Sequence, residues 1–235
     1  MSEGFEGRHV VVTGGTGALG AAVVGRLIAE GTVCHVPVFD PKELEGFAHV
    51  GDDRVQFTDG MDLRDEKAVA NYYHRLPGLW ASIHVTGGFA MSPIAETTLE
   101  DFRRMMDLNA TTCFLCCREA VRRIRAEKRA KGGRIVNVAA RASLVPTGGM
   151  IAYTTAKAAV ASMTQCLAEE VRDDHIWVNA VVPSIMDTQA NRAAMPTADH
   201  EDWPTVADVA ETIAFLASPA NKSTRGALVP VYGLS

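Results

Sequence analysis

A glycine-rich turn between a strand and a helix is the feature that most restricts how this chain can fold. Residues 10–12 form a β-branched run typical of a strand, and Gly15, Gly17 and Gly20 follow in Gly-x-Gly-x-x-Gly spacing. A helical pattern then continues to Gly31. Glycines at this spacing allow a tight turn and let the backbone approach a pyrophosphate at the helix N-terminus. The turn therefore predicts an α/β fold that binds a dinucleotide.

Asp40 is the second part of this hypothesis. It stands twenty residues beyond Gly20, at the end of the next predicted strand. A carboxylate there would accept hydrogen bonds from both ribose hydroxyls of an adenosine. The alternative interpretation is a loop residue in front of Pro41, and with the glycines in place we favour cofactor binding.

Apolar strands alternate with amphipathic helices along the whole chain. This order is typical of parallel strands joined by right-handed crossovers, with helices on both faces of the sheet. Since there is no repeat, low-complexity tract or linker, we expect residues 1–235 to form one doubly wound α/β domain with a seven-stranded parallel sheet. The predicted strands cover residues 10–12, 32–39, 55–57, 80–86, 134–138, 176–182 and 227–231. After the first helix, the predicted helices cover residues 65–76, 97–131, 151–171 and 206–217. The helix over residues 97–131 opens with a capping box of Thr97 and Glu100 and has one break near Asn109.

Composition narrows the class of protein further. The 235 residues are 47% hydrophobic and 22% charged, which favours a globular chain with a sizeable core over a disordered one. The formal net charge of −5 argues against a nucleic-acid partner, because neutralising phosphates needs clustered Lys and Arg. No apolar run reaches the roughly 18 residues of a membrane span, and the acidic start at residues 1–6 is unlike a signal or transit peptide. We therefore expect a cytoplasmic protein that acts on a small molecule.

Three of the five cysteines follow helical spacing. Cys113, Cys116 and Cys117 lie along one predicted stripe, with no histidine close by to complete a metal site. Core or interface packing is the interpretation we favour. The seven histidines show no metal-ligand spacing either, so no metal is expected.

Tyr153 and Lys157 form an i, i+4 pair and share one face of a predicted helix. A nearby ammonium favours the phenolate, so we expect the pair to lower the pKa of Tyr153 and to make proton exchange feasible near neutral pH. The pair lies downstream of a dinucleotide loop and before a strand that ends in Pro183. In this context, it predicts a catalytic site.

Over essentially its whole length, the sequence resembles the short-chain dehydrogenase/reductase family. The resemblance implies a single-domain Rossmann fold in which Asp62 and Leu63 meet the adenine ring. Gly87 and Gly88 stand in a segment where the family usually has Asn-Asn-Ala-Gly, and Ala18 and Ser184 each replace a family glycine. The implied cofactor-binding residues are Gly14, Thr16, Gly17, Ala18, Leu19, Gly20, Asp40, Asp62, Leu63, Gly87, Gly88, Tyr153, Lys157, Pro183, Met186 and Thr188.

The resemblance also implies catalytic roles. Tyr153 exchanges the proton, Lys157 orients the ribose, and Asn109 holds a water at a helix break. The family's catalytic serine falls at Ala140, however, and Ser143 is the nearest hydroxyl in the same loop. The dihydropteridine reductases tolerate this change, and the present chain is similar to them in residues 14–20, 87–90, 149–153 and 187–196.

This branch implies reduction of a quinonoid dihydropterin or a similar planar conjugated compound. One alternative is an alcohol or ketone dehydrogenase in which Ser143 supplies the missing hydroxyl. The other is a non-catalytic regulator that binds NAD(H).

NAD(H) is favoured over NADP(H), because Asp40 would repel a 2′-phosphate; Lys42 is the residue that would reverse this preference. Residues 184–204 are expected to cover the substrate, with Arg192 either on the surface or in contact with it. The long helices at residues 110–131 and 151–171 resemble those that pair in the family, which predicts a homodimer or homotetramer.

Overall fold

Seven parallel strands form one sheet in the order β3-β2-β1-β4-β5-β6-β7. The computed structural model describes residues 4–127 and 132–235. The strands are β1 (His9–Thr13), β2 (Val33–Pro37), β3 (Val55–Thr58), β4 (Ala81–His84), β5 (Gly133–Val138), β6 (Ile176–Pro183) and β7 (Leu228–Val231). The helices are α1 (Ala18–Ile28), α2 (Glu66–Arg75), α3 (Leu99–Met106), α4 (Thr112–Arg125), α5 (Ile151–Glu170), α6 (Gln189–Ala194) and α7 (Val206–Ala217).

The helices cover the sheet on both faces. One buried cluster joins α2, α4 and α5 to strand residues such as Val11 and Ile135. The other cluster joins α1 and α7 to strand residues that point to the opposite face of the sheet, such as Val10 and Val136. Because successive side chains of a strand point to opposite faces, the strands β1, β5 and β6 contribute to both clusters. The predicted single-domain Rossmann fold is confirmed.

The direction of chain winding reverses beside β1. This strand pairs with β2 on one side and with β4 on the other, and every pair in the sheet is parallel. In such sheets a crevice opens beyond the carboxyl ends of the strands where the order reverses. Strand pairing therefore fixes the location of the candidate site.

The predicted helix over residues 97–131 differs most from the structure. It is divided into α3 and α4 by a π-helical turn, Asp107–Thr111, which confirms the break near Asn109. Its predicted end near Lys131 lies outside the described residues. The predicted capping box is wrong by one residue, because Thr98 rather than Thr97 accepts the hydrogen bond from the Asp101 amide, at 3.0 Å.

The cysteine stripe lies in the core, as expected. Cys113, Cys116 and Cys117 are all at most 5% exposed. The expectation that no histidine lies near them is wrong, since His84 of β4 is within hydrogen-bonding distance of Cys117. Strand β4 packs against α4, and this long-range contact brings the ring to the stripe.

Among the described residues, none of the helices is long and apolar enough to cross a membrane. The cytoplasmic location stays a prediction.

Candidate cofactor and catalytic site

A cleft of about 800 Å³ lies at the carboxyl ends of the central strands. It has the size of a small-molecule or cofactor site. Of the implied site residues, Asp40 alone is not in its lining. The others line it together: Gly14, Thr16, Gly17, Ala18, Leu19, Gly20, Asp62, Leu63, Gly87, Gly88, Asn109, Tyr153, Lys157, Pro183, Met186 and Thr188.

The glycine loop forms the cradle at one end of this cleft. Gly14 has a φ of 63°, and a Cβ there would lie 2.9 Å from the Thr86 amide nitrogen. A Cβ at Gly20 would overlap the carbonyl oxygen of Gly14. Gly17 is the N-cap of α1 and provides no side-chain cap, so the first amide groups of that helix are available to an anion. The loop fits the pyrophosphate of a dinucleotide.

The end of the cleft at which the adenosine is expected carries a carboxylate that the sequence analysis missed. Asp40 caps a short 3-10 helix, Pro41–Leu44, and accepts a hydrogen bond from the Lys42 amide at 2.9 Å. Glu43 lines the cleft instead, and its carboxylate accepts a 2.7 Å hydrogen bond from the Thr16 hydroxyl. The spacing of Asp40 and Glu43 is that of a capping box, which is the sequence signal for this turn.

Arg64 is a second residue that the sequence analysis missed. It lines the cleft, and its guanidinium lies over the Phe39 ring at 5.9 Å. Two hydrogen bonds of 2.8 Å join it to the carboxylate of Asp62. These bonds hold the pKa of Asp62 below its usual range and neutralise much of the charge of Arg64.

The predicted catalytic pair, Tyr153 and Lys157, lies on the first two turns of α5. Lys157 is buried, and its Nζ donates a 2.8 Å hydrogen bond to the carbonyl of Val138 at the end of β5. Burial lowers the pKa of Lys157 to about 8. Tyr153 packs edge-on against Phe89, with ring centroids 5.0 Å apart.

The expected lowering of the pKa of Tyr153 is wrong. Burial raises the pKa of Tyr153 to about 12, because desolvation disfavours the phenolate. The side chain is therefore a neutral phenol near pH 7. A phenol donates a proton, which is what the reductive direction of a hydride transfer requires.

Asn109 lies in the π-helical turn and holds the loop after β4. Its Oδ1 accepts from the Gly88 amide at 3.2 Å, and its Nδ2 donates to the Gly88 carbonyl at 3.0 Å. A Cβ at Gly87 would lie 2.6 Å from this Oδ1 and 3.2 Å from the Lys157 Nζ. The glycine at position 87, where the family usually has alanine, lets Asn109 and Lys157 approach the same point. The water expected at Asn109 stays a prediction.

Ala140 occupies the position of the expected serine and lines the cleft. Ser143 lies in a 3-10 turn, Arg141–Ser143, and its hydroxyl donates a 2.6 Å hydrogen bond to the carbonyl of Ala140. Ser143 does not line the cleft. The Ser143 hydroxyl therefore forms a hydrogen bond within its own loop and is not part of the cleft wall.

The segment after β6 lines the other end of the cleft. Ser184 donates a 2.9 Å hydrogen bond to the Tyr232 carbonyl, and Thr188 caps α6. Of the two interpretations of Arg192, the structure favours the surface one, since Arg192 pairs with the carboxylate of Asp187 and does not line the cleft. The role of residues 184–204 as a substrate cover stays a prediction.

Comparison with known proteins agrees with this geometry. The sequence model of the short chain dehydrogenase family matches residues 8–199. A cis-4-hydroxycyclohexanecarboxylate dehydrogenase from Sinomonas cyclohexanicum is 32% identical, over 99% of this chain and 98% of the relative. The 3-oxoacyl-[acyl-carrier-protein] reductase MabA of Mycobacterium tuberculosis is 30% identical, over 97% of this chain and 93% of the relative.

Solved structures show the same fold. A short-chain type dehydrogenase/reductase from Mycobacterium ulcerans superposes with a TM-score of 0.89 at 25% identity, covering 98% of this chain and 90% of the other. ElxO with NADP bound superposes with a TM-score of 0.87 at 23% identity, covering 97% and 98%. The family match and these relatives show that the chain belongs to the short chain dehydrogenase family, and the cleft described above agrees with this. Members of this family are in general NAD(P)-dependent oxidoreductases.

Proposed function

We propose that this protein reduces a planar, electron-poor conjugated substrate with NADH, and that a quinonoid dihydropterin is the best candidate. The observation that carries the proposal is that Ala140, at the position of the family's serine, lines the same cleft as Tyr153. This assignment places the chain with the dihydropteridine-reductase-like branch of its family.

The chain's own residues provide binding, orientation and one proton. When bound, the nicotinamide cofactor supplies the hydride. The buried ammonium of Lys157 is fixed by the Val138 carbonyl and orients the ribose. Tyr153, a phenol near neutral pH, donates its proton to the reduced substrate.

A missing hydroxyl discriminates between substrates. Reduction of a ketone builds negative charge on oxygen, and removing one hydrogen-bond donor to such a charge typically costs about 10²-fold or more in rate. Ser143 is a poor replacement, because its proton is engaged with the Ala140 carbonyl at 2.6 Å. A conjugated substrate that is already electron-poor spreads the charge over its rings, so one donor such as Tyr153 suffices.

Steady-state assays with NADH test this proposal. Quinonoid dihydropterin should be reduced, and Ser143→Ala should leave kcat/KM within about twofold, because this hydroxyl only closes the loop. Ala140→Ser is the matched variant: adding the hydroxyl should raise ketone reduction more than dihydropterin reduction. Strong turnover of simple ketones that Ser143→Ala abolishes would overturn the proposal.

A ring alcohol or ketone is the second candidate. It is favoured by relatives whose names specify six-membered ring alcohols, the Sinomonas enzyme and the 2,5-dichloro-2,5-cyclohexadiene-1,4-diol dehydrogenase LinX of Sphingobium indicum, which is 26% identical. Oxidation of an alcohol needs Tyr153 as a base, and its raised pKa opposes that direction near neutral pH. Assays with NAD⁺ and cyclohexanols across a pH series separate the two candidates.

The preference for NADH rests on charge at the adenosine end. Glu43 lines the cleft, and Asp40 stands three residues before it in the same turn. Carboxylates there would repel a 2′-phosphate, whereas the charge of Arg64 is already paired with Asp62. Titration with both reduced cofactors should give the lower Kd for NADH.

We also propose a homodimer or homotetramer that pairs α4 and α5. Phe114 of α4 is 49% exposed and Ile151 of α5 is 45% exposed. Large apolar side chains on helix surfaces are typical of protein interfaces. Sedimentation at micromolar concentration should give at least twice the chain mass.

A further inference from the structure

A group of thiols and one imidazole lies behind the catalytic lysine, in the core between β4 and α4. It consists of His84, Cys113 and Cys117, each at most 5% exposed. The Sγ atoms and one ring nitrogen all lie within 4.8 Å of one another. None of the three lines the cleft. We refer to them as the thiol–imidazole cluster.

The distances within the cluster match those of a tetrahedral metal site. The Cys113 and Cys117 Sγ atoms are 4.0 Å apart, and the Cys117 Sγ lies 3.5 Å from the His84 Nδ1. Zinc bonds of about 2.3 Å to sulfur and about 2.0 Å to nitrogen, at tetrahedral angles, place two sulfurs about 3.8 Å apart and sulfur and nitrogen about 3.5 Å apart. The three side chains need only small movements to bind one ion.

The surroundings of His84 suit a metal ligand. Its Nε2 lies 2.8 Å from the Ser82 hydroxyl, which is itself 2.8 Å from the Tyr73 hydroxyl. The Nδ1 carries the ring proton here, because the Asn137 Oδ1 at 2.8 Å can only accept a hydrogen bond. A ring that binds an ion through Nδ1 carries its proton on Nε2 instead and donates it to the Ser82 hydroxyl, which leaves the lone pair of Nδ1 for the ion. Such an outer hydrogen bond is the usual way in which a protein orients a metal-binding histidine.

A fourth position is available beside these ligands. The Asn137 Oδ1 lies 2.8 Å from the His84 Nδ1 and 3.5 Å from the Cys117 Sγ. The Asn137 amide is fixed by a 2.9 Å hydrogen bond from its Nδ2 to the Thr164 hydroxyl. The oxygen is therefore placed to complete the coordination.

We propose that His84, Cys113 and Cys117 bind one thiophilic divalent ion, Zn²⁺, in a buried structural site. The bound ion ties β4 to α4, the helix that directly follows the π-helical turn carrying Asn109. The two thiol protons pass to solvent, and no electron transfer is involved. The site is separate from the cleft and does not depend on which substrate the cleft accepts.

Metal content and spectroscopy test this proposal. Full-length protein purified with a reductant and stripped by a chelator should rebind about one equivalent of Zn²⁺. Cobalt(II) should give the visible bands of a tetrahedral ion and a thiolate charge-transfer band in the near ultraviolet. Cys117→Ser should weaken Zn²⁺ binding by at least about tenfold and remove most of the charge-transfer intensity.

Cys116→Ser is the matched control. Its thiol is equally buried on the same helix but is not part of the cluster, so Zn²⁺ binding should stay within about twofold of wild type. The cobalt spectrum is measured on the wild-type chain, so this test does not depend on whether a variant folds. Binding without a charge-transfer band, no binding at micromolar Zn²⁺, or equal binding by Cys117→Ser would each overturn the proposal. These readouts are independent of catalytic activity.

Discussion

The proposed cofactor end and the proposed catalytic end of the cleft differ in what they require from the sequence. At the cofactor end, Gly14 and Gly20 are fixed by backbone geometry, because a Cβ at either one would collide with neighbouring backbone. At the catalytic end, Ala140 and Gly87 depart from the family pattern without disturbing the fold. Binding by backbone is retained with the fold, whereas the chemistry can change through a few side chains.

The largest effect is expected from Tyr153→Phe at the catalytic end. Removing the proton donor should lower kcat by about 10²- to 10⁴-fold. The NADH Kd, measured by fluorescence titration, should stay within about twofold, because cofactor binding depends mainly on the other end. A variant with unchanged biological function would instead favour the regulator hypothesis and break the division between the two ends.

The pH dependence of kcat/KM should be determined by the ionisable groups at the catalytic end, Tyr153 and Lys157. In the proposed mechanism, reduction uses the protonated forms of Tyr153 and Lys157, whose pKa values are about 12 and about 8. The kcat/KM of reduction should therefore be level below about pH 7 and fall by up to about tenfold per unit above pH 8.

A stability measurement separates this loss from unfolding. The pKa of Lys157 is lowered from 10.5 to about 8, so the unfolded chain binds more protons between these values. This group therefore makes the free energy of unfolding rise with pH in that window. Activity lost above pH 8 together with a loss of folded protein would contradict the assignment.

One substitution applied at both ends sharpens the comparison. Gly20→Ala forces a Cβ against the Gly14 carbonyl and should lower the free energy of unfolding by about 1–3 kcal/mol. Gly17→Ala is the control, because its Cβ would meet that oxygen at an ordinary 3.5 Å. Chemical denaturation should separate these two variants.

Gly87→Ala should act on activity instead. Its Cβ would displace the Asn109 Oδ1 and the Lys157 Nζ, both of them side-chain atoms that can move. We expect a fall in kcat of about tenfold, with a change in the free energy of unfolding below about 1 kcal/mol. The opposite pattern, with stability lost and kcat intact, would show that the two ends do not divide as described.

The smallest effect is expected at the adenosine end. Glu43→Gln removes a carboxylate from the cleft lining and should shift the NADH-to-NADPH ratio of kcat/KM toward NADPH by about three- to tenfold. Glu45→Gln is the control, since Glu45 lies in the same turn but outside the lining. Equal shifts in both variants would indicate a general charge effect.

The sequence predicted those features that depend on local backbone. Gly17 and Gly20 could be recognised because a turn that binds a pyrophosphate tolerates few residues other than glycine. The helix break near Asn109 was also predicted at the right place. The cap at Thr98 was missed by one residue, which is the usual uncertainty of helix ends. These features are encoded over short stretches of chain.

One of the missed features is local, and the others depend on tertiary contacts. Glu43 was missed although the capping box that it forms with Asp40 is visible in the sequence. His84, in contrast, meets Cys117 only where β4 packs against α4. The raised pKa of Tyr153 results from burial, which no spacing of residues reveals. Side-chain environment, rather than element order, is therefore what the structure adds.

The position of β1 between β2 and β4 has a consequence for folding kinetics. Val11 pairs with His35 on one side and with Ser82 on the other, so the cleft is complete only after strands far apart in sequence have met. Pairings of this kind close long loops and form slowly. A partly folded chain would lack the cradle, so NADH should bind the native state alone. It should slow proteolysis by mass action without accelerating the early steps of folding.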